Sequence, residues 1–342
     1  MDTIATWSAT EREELFQDTT ELLPDLQSPS LVEKDFWVCW LLRRLFLLDH
    51  DVPMIFKGGT SLSKAYRVIR RFSEDIDLSL GRTSLGFDEE RWNGDISNKT
   101  SKRLLAELSE ACRVYVCEPL LDSLRADIRG VLGRSTDEAS WSLEVREKGT
   151  ADLLFTYPRT AVTLDASGYT APRVLLEFGA RGDHWPEADR EIRPYAAEAV
   201  PAEFDVGSFA VRTLDVARTF WEKATILHSL ASGGMEKVRS GMARHYYDLA
   251  QLADAEESAG AVDRLDLLEA VAIHKSRFFA SAWASYETAR PGTLRLVPPP
   301  EMVRALEKDY RAMDALFMDE PPSFEAVVER LAEIEERVNR NS

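Results

Sequence analysis

The sequence predicts an α/β chain of the α+β kind, in which a small mixed sheet carries acidic side chains and a helical C-terminal domain follows. Three observations carry this. Residues 54–56 are an apolar run ending in Gly58-Gly59, and Asp75-Ile-Asp-Leu-Ser-Leu80 alternates polar with apolar, as a half-buried strand does. Residues 141–146, 152–157 and 172–179 read as further strands. Beyond residue 205 the composition turns to alanine, leucine and charge at helical spacing. At 342 residues and 44% hydrophobic the chain can bury a large core, and its length suggests two domains or one core with a large helical extension. The expected division is N-terminal helices (1–50) packed on the core, a core (51–204), and a helical domain (205–342) closing the cleft.

In chain order, Thr10-Glu-Arg-Glu13 has the pattern of a capping box, and residues 31–48 carry a long apolar periodicity. Glu33, Lys34 and Asp35 look like the charged start of that helix, where acids favour the dipole. After Gly58-Gly59 a helix is expected from Thr60 to about Val68. A polar loop over 81–94 precedes two covering helices, 99–116 and 120–132. The proline-punctuated stretch 182–201 reads as a long surface loop, and His184 within it as a surface residue. Helices follow from about Thr213, including 265–279 and 301–318. Phe324, Val327, Val328, Leu331, Ile334 and Val338 form one apolar stripe on the last helix.

Composition narrows the function classes. The net charge of −17, from 42 basic against 59 acidic residues, argues against broad binding to a phosphate backbone. Basic residues nonetheless gather in two islands, Lys57, Lys64, Arg67, Arg70 and Arg71, and then Lys223, Lys237, Arg239, Arg244 and His245. These fit either a triphosphate or RNA end, or ordinary helix surface. Three cysteines, Cys39, Cys112 and Cys117, are too few and too irregular for a disulfide framework or a zinc site. With no signal peptide and no long apolar span, a reducing cytoplasm and no membrane are expected. The chain lacks the phosphate-loop, dinucleotide and zincin motifs.

The chemistry concentrates between Phe56 and Leu80. In a strand, Asp75, Asp77 and Ser79 share one face. Two carboxylates at that spacing repel unless a hard dication lies between them, and Mg²⁺ takes one or two carboxylates plus phosphate oxygens. Taken alone, a solvated strand fits equally well. Gly58 and Gly59 would expose backbone N–H groups to phosphates, with Thr60, Ser61 and Ser73 lending hydroxyls. Glu177, opposite Val174, Leu176 and Phe178, is a candidate third carboxylate, or else an edge-strand partner of Arg181. Tyr246 and Tyr247 read as core aromatics.

The glycine turn followed by Asp-x-Asp resembles the signature of the polymerase-beta-like nucleotidyltransferase fold. The longer strings Val32-Glu-Lys-Asp-Phe-Trp37, Phe56-Lys-Gly-Gly-Thr-Ser-Leu62, Arg71-Phe-Ser-Glu-Asp-Ile-Asp-Leu78 and Arg244-His-Tyr-Tyr-Asp-Leu249 resemble the AbiEii nucleotidyltransferase toxins over residues 31–250. That resemblance implies a toxin of a type IV toxin–antitoxin or phage-defence (abortive infection) system, with a cognate antitoxin. It implies transfer of a nucleoside monophosphate from an NTP to the tRNA 3′ end, with Mg²⁺ or Mn²⁺. It places Asp75 and Asp77 on two Mg²⁺ ions, Lys223 on the nucleotide phosphates, and Asp248 orienting Lys223 or the attacking hydroxyl. Without the resemblance, Lys223 and Asp248 read as helix-surface ion-pair partners. The same site suits a protein hydroxyl as acceptor, and a non-enzymatic nucleotide- or antitoxin-binding module is the reading from another class.

Overall fold

The computed structural model describes residues 1–26, 28–92, 96–136, 140–163 and 171–340, so the end of the loop expected over 81–94 lies outside the described residues. The chain forms two compact units: residues 1–65, 72–184 and 188–213, and residues 66–71, 185–187 and 214–342.

The first unit is built on seven strands, β1 (Met54–Lys57), β2 (Ile76–Leu80), β3 (Ser142–Val145), β4 (Asp152–Thr156), β5 (Arg173–Gly179), β6 (Glu187–Ile192) and β7 (Phe209–Leu214). They form one mixed sheet in the order β3-β4-β5-β2-β1-β7-β6. The fold class is the one predicted, but the sheet is larger than expected. The alternation of β6 is hidden because its outward positions are charged, as protects an edge strand from further pairing. β7 lies where the first helix of the C-terminal domain was expected to begin.

One sheet face is apolar and buried, formed by Ile76, Leu78, Leu80, Leu153, Phe155, Val174, Leu176 and Phe178. Early helices pack in this unit: α1 (Asp2–Ala5), α2 (Ala9–Leu22) and α3 (Pro29–Leu47). The capping box of α2 is Ser8 with Glu11, two residues before the expected one, because the Ser8 hydroxyl and the Glu11 carboxylate satisfy each other's backbone N–H. α3 is buried nearly all round, as a central core helix must be. Its Trp37 stacks on Tyr157, ring centroids 5.4 Å apart, and Trp40 stacks on Phe155 at 5.9 Å. Later come α5 (Asn98–Tyr115) and α6 (Leu121–Leu132), joined through one π-helical turn, and the short α7 (Tyr195–Ala199), which with β6 occupies the stretch expected as a loop.

Glu33, Lys34 and Asp35 correct their expectation. They sit beyond the first turn of α3, all three buried. Glu33 accepts from the Thr160 N–H at 3.1 Å, Lys34 pairs with Glu74, and Asp35 pairs with Lys64 at 2.6 Å while accepting from the Tyr195 N–H at 2.8 Å. Buried charges persist only when paired this way, so these residues tie distant segments to α3 rather than answering its dipole.

The second unit is helical: α8 (Val216–Gly233), α9 (Ala243–Asp254), α10 (Leu265–Phe278), α11 (Pro300–Arg311) and α12 (Phe324–Asn339). Asp215 caps α8 through the Ala217 N–H at 2.9 Å. The stripe on α12 is buried at Phe324, Val327, Leu331, Ile334 and Val338, with Val328 at its margin. α11 stops short of the expected helix end because Phe317 bridges Arg71 and the Met318 N–H bonds to the Arg70 carbonyl at 3.0 Å. Among the described residues no helix is long and apolar enough to cross a membrane.

Candidate active site

In the sheet unit, α4 (Gly58–Lys64) follows β1 directly. It ends earlier than expected, since Arg67 takes a left-handed φ of 56° that no α-helix continues. Gly58 has φ +80°, and a Cβ there would lie 1.9 Å from the Asp77 Oδ2. The glycine is therefore required twice, for its backbone angle and for the carboxylate packed against it. Thr60 and Ser61 are fully buried. The Thr60 hydroxyl donates to the Asp75 carbonyl and meets the Ser73 hydroxyl at 3.0 Å, and that of Ser61 donates to the Gly58 carbonyl at 2.9 Å. Their hydroxyls fasten the turn to the segment entering β2, and Ser73 supports that segment.

Asp75 stands immediately ahead of β2 and Asp77 within it. Antiparallel pairing sets Lys57 opposite Asp77, parallel pairing sets Asp77 beside Glu177, and antiparallel pairing sets Glu177 beside Asp152. Register partners share a face, so Lys57, Asp77, Glu177 and Asp152 form a row across four strands, opposite the apolar face. Electrostatics confirm the crowding. Partial burial, then the charges of Asp77, Asp75 and Asp152, push the Glu177 carboxyl up to about 7, against a weak pull from Arg146 at 3.8 Å. Ser79, next on this face, is buried with its hydroxyl 3.1 Å from the His184 Nε2, so His184 is half-buried and engaged rather than a bare surface residue.

Do these residues fit a dication? The donor set is hard oxygen, and its mutual repulsion is what a dication would relieve. Among the described residues no three His, Cys, Asp or Glu side chains converge on one metal position, so substrate oxygens would have to complete the shell.

The helical unit holds a different cluster. Lys223 on α8 donates to the Asp248 Oδ2 at 2.7 Å, and Arg71 grips the same carboxylate with both prongs, at 2.7 and 2.8 Å. All three are buried. Burial would raise the Asp248 carboxyl, but Arg71 and Lys223 override it and hold it far below the usual range. Burial lowers the Lys223 ammonium, with Asp248 opposing and Arg71 reinforcing that fall. Burial, Lys223 and Arg244 keep His245 neutral, its Nδ1 buried without a hydrogen-bond partner. Tyr246 and Tyr247 are core aromatics as expected.

The basic islands shrink accordingly. Lys64 is held by Asp35, Arg70 by Asp319, and Arg71 and Lys223 by Asp248, so of these four cations Lys64, Arg70 and Arg71 are engaged by the protein's own acids, and Lys223 is oriented by Asp248. Arg71, expected among the cations for a triphosphate or RNA end, instead grips Asp248, and Asp152 carries no signal in the sequence beyond opening a strand.

The model of the family described as nucleotidyl transferase AbiEii toxin, type IV TA system, matches residues 40–330. The chain belongs to this AbiEii family. The resemblance read from the motifs therefore holds, running further towards the C-terminus than residue 250, while Val32–Trp37 precede the match. This AbiEii protein is a nucleotidyltransferase toxin of a type IV toxin–antitoxin system. Among solved structures it is similar to MenT4, a nucleotidyltransferase toxin from Mycobacterium tuberculosis H37Rv, at 15% identity and a TM-score of 0.39, over 94% of this chain and 97% of that one. Compared with curated proteins, it finds no match.

Proposed function

We propose that this toxin transfers a nucleoside monophosphate from an NTP to a hydroxyl at the tRNA 3′ end, in a Mg²⁺-dependent reaction at the carboxylate row of the sheet. The observation that carries the reading is the row of Asp77 and Glu177 on one sheet face with Asp75 just ahead of it, where burial first and then these neighbouring charges raise Glu177 to about 7. Evolution of a stable core alone gives no reason to line up acids on one face, whereas a cation site does. Asp75 and Asp77 would hold the ion, and Mn²⁺ suits the same oxygen donors. Bound there, the ion would neutralise charge building up on the phosphates.

Glu177 is the third carboxylate. Its pKa near neutrality suits it to take the proton that the acceptor hydroxyl loses as its oxygen bonds to the α-phosphorus and pyrophosphate departs. Ionised, it would reach the ion as a third ligand only by a shift of its side chain, since among the described residues no three acids converge on one position. Gly58 and Gly59 would set backbone N–H groups at the phosphates, with Thr60, Ser61 and Ser73 fixing the turn's shape. For Lys223 the phosphate role implied by the family is retained, with Asp248 as its orienting partner at 2.7 Å. The type IV family implies a cognate antitoxin as partner.

The test is incubation of the pure protein with Mg²⁺, each labelled NTP and total bacterial tRNA, beside Asp77→Ala, with RNA then separated from protein. Label on RNA, lost in the variant and on chelation, is expected. Label on protein would move the acceptor to a protein hydroxyl, a reading favoured by the internal pairing of so many cations. NTP binding without turnover would leave a binding module.

A further inference from the structure

Away from the carboxylates, the sheet unit holds a cavity of about 530 Å³ at its β3 edge, where α6 ends. Arg125, Arg129 and Arg134 line it with Ser135, Ser142 and Glu144. Its size falls within the range of ligand sites. Among the described residues that line it are three arginines and one acid, in a chain of net charge −17.

The three arginines differ in what holds them. Arg125 donates through Nε to the Leu143 carbonyl at 2.8 Å, which fixes its guanidinium at the wall, and lies 3.9 Å from the exposed Asp122. Arg129 and Arg134 are exposed, and neither is engaged in an ion pair among the described residues. The floor is rigid: Trp141 is buried, its indole N–H donates to the Gly133 carbonyl at 3.3 Å, and its backbone N–H donates to the Ser135 hydroxyl at 2.9 Å. Trp141 and Leu143 complete the lining as its apolar part, with Trp141 largely buried. What remains is guanidinium and hydroxyl donors on a fixed frame, the chemistry that recognises phosphate rather than sequence.

We propose that this groove binds the sugar–phosphate backbone of the acceptor RNA at a distance from its reacting end. The inference rests on the RNA acceptor proposed above. Geometry connects the two places within one unit. Glu144 pairs with Leu154 across β3 and β4, and Asp152 pairs with Glu177 across β4 and β5. Two strand spacings of about 4.8 Å and two residues of about 3.3 Å put the Glu144 position roughly 12 Å from Glu177 on the same face. That is about three to four phosphate steps of a stacked strand. An RNA whose 3′ end meets the carboxylate row is therefore long enough to reach the β3 edge within a few nucleotides. The groove also supplies the phosphate contacts that internal pairing removes from the basic islands.

The experiment uses the full chain carrying Asp77→Ala, which binds without turning over, and measures affinity for total bacterial tRNA between 50 and 200 mM salt. Adding Arg129→Glu and Arg134→Glu is expected to weaken binding at least about tenfold at 100 mM salt. It should also flatten the salt dependence by about two phosphate contacts, since each contributes about 0.7–0.9 to the slope. Arg129→Lys with Arg134→Lys should stay within about threefold, because the contact is one of charge. Unchanged affinity in the glutamate variant, while the wild type still labels tRNA, would overturn the groove and leave the proposed function standing. No tRNA binding by the Asp77→Ala chain and no labelled tRNA from the wild type would overturn both. Inorganic phosphate captured by the arginines with tRNA affinity unaltered would also overturn it, as an anion pocket only.

Discussion

Two groups of charged side chains dominate this AbiEii toxin, and they solve opposite problems. In the helical unit one carboxylate, Asp248, lies buried between Arg71 and Lys223, every close contact opposite in sign. In the sheet unit Asp75, Asp77, Glu177 and Asp152 crowd together with like charge, and burial together with those neighbours raises Glu177 to about 7. The first arrangement is satisfied by the protein itself. The second sets like charges side by side with only partial counterweights, Lys57 opposite Asp77 and Arg146 3.8 Å from Glu177, and a cation from outside would relieve the remainder.

The comparison is tested most severely by removing one carboxylate from each group. Asp77→Ala should lower nucleotidyl transfer at least about a thousandfold, roughly 4 kcal/mol of transition-state stabilisation, as measured by kcat/KM for the labelled NTP. Its melting temperature should stay level or rise, since a repulsive charge has gone. Asp248→Ala should do the reverse to stability. It strands two buried cations, at a cost of about 3–5 kcal/mol and on the order of 10 °C in melting temperature, read by circular dichroism. If Asp77→Ala melts as early as Asp248→Ala, the sheet aspartates are structural and the contrast fails.

Gly58→Ala sharpens the same contrast with one methyl group. The new Cβ meets the Asp77 carboxylate at a distance no contact allows, and φ +80° disfavours any side chain. The backbone cost is about 1–2 kcal/mol, whereas displacement of Asp77 should reduce Mg²⁺-dependent turnover at least about a hundredfold, as measured by the Mg²⁺ dependence of transfer. Wild-type turnover in this variant would show that the Asp77 position is not set by the turn.

What was legible in the sequence followed spacing. Asp75, Asp77 and Glu177 could be read because strand periodicity reports which face a residue occupies, and the apolar strands around them left little ambiguity. Lys223 and Asp248 needed the family pattern, since helical spacing says nothing of a partner on another helix. Arg71, the second cation on Asp248, was invisible because the two are 177 positions apart in sequence. The same blindness to long-range pairing turned Glu33, Lys34 and Asp35 into a helix start, though tertiary partners bury all three. β6 escaped because charge covers its alternation, and α11 was overextended because backbone pairing at Phe317 has no local signature.

The smallest expected effect concerns pH and tests whether the crowding at Glu177 is real. Its carboxyl titrates near 7 in the folded protein and near its ordinary value of 4.5 when unfolded. Between those values the native state holds a proton that the unfolded state has lost, so stability must fall as pH rises from about 4.5 to 7. Glu177 is half-exposed and solvent screens its neighbours, which leaves an effect on the order of 1 kcal/mol. Denaturant unfolding of the metal-free protein at pH 5 and pH 8 should show that decline, and Glu177→Gln should flatten it. Asp77→Asn should lower the Glu177 midpoint and shrink the decline as well, because it removes the largest charge acting on that carboxyl. Mg²⁺ at pH 8 should restore the lost stability in the wild type and not in Asp77→Asn. A pH dependence that survives both substitutions would place its source in another group and remove the main physical argument for a cation at this face.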